Sequence, residues 1–151
     1  MNDDEFVRAF EACRLSNGGF HHRDHIRLAC IYLQRYGEAD ATERITQSIR
    51  NFAARHGKSE KYHQTMTVAW MRLVADAARR SQGGFEELTA RFPALLDKST
   101  LNAFYSEALL KSEAARSTFI EPDLKALSLQ ADKHDGGECE KSVPQAESRQ
   151  P

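Results

Sequence analysis

The chain has 151 residues, with 21 lysines and arginines against 22 aspartates and glutamates, for a net charge of −1 at pH 7. That length suits one domain with a single core, and so even a charge balance lacks the basic face that nucleic acid requires. No apolar run approaches the ~20 residues that span a bilayer, so neither nucleic acid nor a membrane is expected as a partner.

The N-terminus, Met-Asn-Asp-Asp-Glu, is acidic and does not read as a secretory signal. Cys13, Cys30 and Cys139 fit neither a disulfide framework nor a Cys-x-x-Cys knuckle. We read them as reduced thiols in a cytoplasmic protein, with Cys30 in the core and Cys139 exposed.

Strand signals are missing: there is no alternating Val/Ile/Thr run and no Asn-Gly hairpin. The sequence predicts an all-α fold, a compact helical bundle of about five to six helices over 1–127, followed by a disordered polar tail over 128–151. The first helix is expected from Asp3 to Leu15, with an acidic first turn that suits the helix dipole. Ser16-Asn17-Gly18-Gly19 breaks the pattern. The second is expected from His22 to Tyr36, with Ile26, Ala29, Cys30 and Leu33 inward, and Gly37 as its stop.

Asp40 is a candidate N-cap for the third helix, with Glu43 completing a capping-box-like pattern. Its apolar stripe is Ile45, Ile49, Phe52 and Ala53, and His56-Gly57 ends it. A fourth helix is expected from Ser59 or Glu60 to about Arg80, broken by Gln82-Gly83-Gly84. A short helix over Phe85 to Arg91 ends at Phe92-Pro93. Another is expected from Ser99 to about Lys111, and Asp97-Lys98-Ser99 looks like its cap. Phe119, Ile120, Leu124 and Leu127 look like anchors onto the body. From about Ser128 the text is polar and has too few apolar residues to offset the entropy of ordering.

Short connections make successive helices antiparallel. Helices two and four then run in the same direction, and their N-termini share one end of the bundle. That end collects His21, His22 and His25 from Phe20-His21-His22-Arg23-Asp24-His25, and His63 from Lys61-Tyr62-His63-Gln64-Thr65. His56, at the end of helix three, falls there too. Residues three or four apart share a helix face. His25 therefore heads the inward stripe of helix two, and His63, Thr67 and Trp70 follow one another on helix four.

Such a group has three uses. Three neutral imidazoles with an open position suit a divalent metal, namely zinc, iron or nickel; His22, His25 and His63 are the candidate ligands. The His-Glu-x-x-His signature and the paired Glu-x-x-His motifs of di-iron bundles are both absent. The layout is broadly reminiscent of three-histidine metal bundles of the DinB type, but their order and spacing of histidines differ, so the likeness is one of architecture. Asp24, Glu60 or Tyr62 would serve beside the metal as partner of a ligand or as proton carrier. Without a metal, two helix N-termini with Arg23, Lys61, Thr65 and Thr67 form an anion pocket, with His25 or His63 as acid or base. In the third use the histidines cap helix ends and pack against Tyr62 and Trp70.

The leading expectation is a histidine-lined pocket in a metal-dependent or acid/base enzyme acting on a small anionic molecule. Its catalytic residues would be His25, His63 and Tyr62, and its ligand-binding residues Arg23, Lys61, Thr67 and Trp70. The alternative is a non-catalytic helical interaction module with structural histidines. An apolar helix face left uncovered would allow a homodimer.

Overall fold

A computed structural model describes residues 1–16 and 19–131. The expected disorder beyond residue 131, and the expected exposure of Cys139, lie outside the described residues. Within them the fold is all-α, with no strand. Its helices are α1 (Asp3–Glu11), α2 (His22–Tyr36), α3 (Glu38–Arg55), α4 (Gln64–Arg79), α5 (Phe85–Arg91), α6 (Glu107–Leu110) and α7 (Glu113–Ser117). Three 3-10 turns, Ser59–Lys61, Pro93–Leu96 and Lys98–Ala103, complete it.

The centre of the molecule is α2 packed on α3 and α4, with α3 also against α4. Burial on α2 is not confined to one stripe, since Leu28 through Tyr32 are all buried; Ile26, Leu28 and Tyr32 of α2 and Leu73 and Val74 of α4 are sealed from solvent. Phe92, Leu95 and Phe104 close the core from the C-terminal half.

Several helix ends differ from expectation. α1 stops at Glu11, short of the expected Leu15. Cys13 adopts φ 58°, its N–H donates to Phe10 O at 2.9 Å, and the N–H of Arg14 donates to Ala9 O at 2.8 Å. This is a Schellman closure with cysteine in the place glycine usually takes. Gly37 is the only residue between α2 and α3, and with φ 81° and ψ 167° it serves both as the stop of one helix and the start of the next. That conformation is open to glycine almost alone. The start of α3 is thus set by backbone geometry, and Asp40, expected as its N-cap, lies inside the first turn, paired with Arg44 at 3.5 Å.

The fourth helix does not begin at Ser59. A 3-10 turn ends at Lys61, Tyr62 and His63 are extended, and α4 starts at Gln64. The single helix expected from Ser99 to Lys111 is also broken. Ser106 and Ser112 each accept a backbone N–H, from Leu109 and Ala115, and so cap two short helices in turn.

The segment after α7 runs back over α4. Buried Thr65 donates to Thr118 O at 2.8 Å and accepts from the N–H of Ile120 at 3.1 Å. Arg80 donates to Leu129 O at 2.6 Å, and Leu129 is 6% exposed. The boundary expected at residue 128 is therefore too early: Ser128 bonds Asp76 and Leu129 belongs to the core. Thr65, placed in the anion pocket by its sequence position, is spent on this fastening.

Candidate functional site

The α2 N-terminus, the stretch ahead of α4 and a third segment over 96–102 surround one cavity of about 1210 Å³. His22, His25 and His63 all line it, as do Arg23, Lys61, Tyr62, Thr67 and Trp70. The two distant histidine stretches thus meet at one end of the bundle. Their side chains are differently engaged.

His22 is in the first turn of α2, and its Nε2 is 2.8 Å from Leu95 O. A carbonyl only accepts, so Nε2 carries the hydrogen and Nδ1 keeps its lone pair. The ring meets Trp70 edge-on, with centroids 4.5 Å apart. Burial lowers its pKa, opposed by the Leu95 carbonyl, so the neutral form is favoured.

His25 is one turn further along α2, half-buried, its ring 4.6 Å from that of Phe20. Burial, and then the neighbouring His22, bring its pKa down from 6.5 to about 4, with Asp24 acting weakly in the other direction. Among the described residues its ring nitrogens bond no protein group, and neither is sealed away, since the one buried unpartnered side-chain polar atom is His56 Nε2. Phe20 also stacks on Phe10 at 4.7 Å and meets Phe52 at a tilt at 5.0 Å, and so fixes the wall against which His25 lies.

His63 is the N-cap of α4. Its Nδ1 accepts the N–H of Met66 at 3.1 Å, and its Nε2 donates to Leu110 O at 2.7 Å. Both nitrogens are spent, so no lone pair remains for a metal and no free proton site for acid–base work. Among the described residues no three His, Cys, Asp or Glu side chains stand close enough together to hold a metal ion. His22, His25 and His63, the expected ligands, thus line one cavity without forming such a group. His56 meets Phe52 at a tilt, with centroids 4.4 Å apart, and does not line the cavity.

Of the remaining candidates, Tyr62, Thr67 and Arg23 also have partners. Tyr62 donates its phenolic hydrogen to Gln64 Oε1 at 2.6 Å, the same oxygen that Arg50 reaches at 3.3 Å. Burial raises the Tyr62 pKa, so the hydroxyl is held protonated and aimed at Gln64, not at a ligand. Thr67 bonds back to His63 O at 2.8 Å. Arg23 is exposed, paired with Glu86 at 3.3 Å and lying 4.7 Å over the ring of Phe85. Lys61 lines the mouth and has no ion-pair partner among the described residues.

Leu96, Asp97, Lys98, Ser99, Leu101 and Asn102 were not singled out as site residues, yet they form the third wall. Asp97 caps its own turn as expected, accepting from Ser99 N at 2.9 Å and Ser99 Oγ at 2.8 Å, and these bonds lower its pKa. The segment is brought here by Leu95, which is buried while its carbonyl holds His22. No local sequence pattern announces that contact.

Comparison with models of known protein families, with characterised proteins and with solved structures finds no match. No helix among the described residues is long and apolar enough to cross a membrane.

Proposed function

We propose that the cavity between the N-terminal ends of α2 and α4 binds a small anionic molecule, and that His25 is the group that acts on it as hydrogen-bond partner, acid or base. The observation behind this is His25 itself. It is a neutral imidazole on a cavity wall, with no protein partner for its nitrogens among the described residues. An imidazole that faces a large concave site with its nitrogens open to the cavity is available to a ligand atom. Lys61 and Lys98 at the mouth supply the positive charge that draws an anion.

The experiment is thermal unfolding against a panel of small carboxylates and phosphates, because a ligand that binds the folded state raises its stability by mass action. At least one compound is expected to raise the Tm of the wild type, with the shift reduced or lost in His25→Ala. Silence from the whole panel would overturn the proposal and leave structural histidines in a helical interaction module.

A further inference from the structure

Taking that binding site as given, we infer that its ligand is a planar aromatic acid, with the ring system inside the cavity and the acid group at the mouth between Lys61 and Lys98. The inner walls carry several rings among aliphatic side chains such as Ile45, Ile49 and Leu101. Phe20 and His25 form one tilted pair at 4.6 Å, His22 and Trp70 form an edge-on pair at 4.5 Å, and Tyr62 lies near them on the same cavity. Against the rings a saturated ligand would gain only buried area. A flat aromatic one also gains from edge-to-face and offset contacts with ring quadrupoles. The volume of about 1210 Å³ exceeds what a single ring fills and accommodates a fused ring system.

Charge fixes the orientation. His22 and His25 favour their neutral forms, so the interior offers no cation to a buried carboxylate. The cations are at the rim: Lys61 and Lys98 are exposed, line the cavity and make no ion pair among the described residues. Asp97, the one lining carboxylate, is turned onto Ser99. An acid group therefore fits at the mouth, with its ring inward.

Calorimetric titration with three compounds of one shape tests this: 2-naphthoate, decalin-2-carboxylate and 2-naphthamide. The expected result is naphthoate bound at least about tenfold more tightly than either of the others, since ring contacts and one charge pair are each of that order. Lys61→Gln/Lys98→Gln is expected to bring naphthoate down to the level of the amide and leave the amide unchanged. Equal binding of the saturated acid would remove the aromatic class while leaving an anion site. Equal binding of acid and amide, untouched by the lysine changes, would remove the placement at the mouth. If none of the three binds while another carboxylate or phosphate raises Tm, this inference fails and the anion site stands. If nothing in either experiment binds, both fail.

Discussion

A histidine ligates a metal or moves a proton only while a ring nitrogen is free. His63 has none: it caps α4 through Nδ1 and ties α6 down through Nε2. His63→Ala should cost about 1–2 kcal/mol, the range for a lost cap and a carbonyl left without its donor. His63→Asn should recover part of that loss, because asparagine caps well. Urea unfolding of the two variants measures the difference. His25 gives a pH dependence. Its folded pKa of about 4 lies below the ordinary 6.5. Between those values the unfolded chain takes up a proton that the folded chain refuses. The stabilising contribution is thus complete above pH 6.5 and is lost as pH falls toward 4, up to about 3 kcal/mol. His22, lowered in the same direction, adds to it. His25→Phe should flatten the fall in unfolding free energy between pH 7 and pH 4.5; an unchanged slope would show that the imidazole is not buried neutral. Cys13 is the third residue of note. A side chain at φ 58° costs about 1 kcal/mol or more that glycine avoids. Cys13→Gly should raise stability by roughly that amount, less what the freer unfolded chain takes back.

At the scale of elements, the clearest test is the single-residue link between α2 and α3. A Cβ built on Gly37 meets nothing within 4 Å, so any cost of Gly37→Ala comes from the backbone alone. With φ 81° and ψ 167° that cost should be about 2–3 kcal/mol, read as a drop in the denaturation midpoint without a change in m-value. Thr65→Val keeps shape but removes both bonds that hold residues 118 and 120. It should cost about 2 kcal/mol, and the amide of Ile120 should exchange faster with solvent. These elements also show what a sequence exposes. α2 and α5 were legible because apolar period and stop signals agree at their ends. The start of α3 was misplaced because Asp40 is a good cap in isolation, while a glycine conformation decides the actual boundary. The break at Tyr62 and His63 was hidden, since helical spacing continues through it. The expected helix from Ser99 was divided because Ser106 and Ser112 cap new turns where Phe104 and Tyr105 are drawn into the core.

At the scale of the whole molecule, two of the three cavity walls were legible. Residues 20–25 and 61–70 declare themselves by their histidines, and antiparallel connectivity brings them together. The wall over 96–102 was not, because it is seated by Leu95 through burial and a backbone carbonyl, neither of which leaves a motif. The functions of individual imidazoles were not legible either, since they turn on hydrogen bonds to residues 47 and 73 positions away, Leu110 for His63 and Leu95 for His22. Placement of a ligand against His25 is tested most directly by NMR titration. The imidazole signals of His22 and His25 and the indole N–H of Trp70, the only tryptophan of the chain, would be followed as small carboxylates and phosphates are added. We expect at least one compound to shift these three groups together and saturably, with His56 unmoved. Binding that leaves them in place, or a panel to which none of them responds, would contradict a ligand site in this cavity.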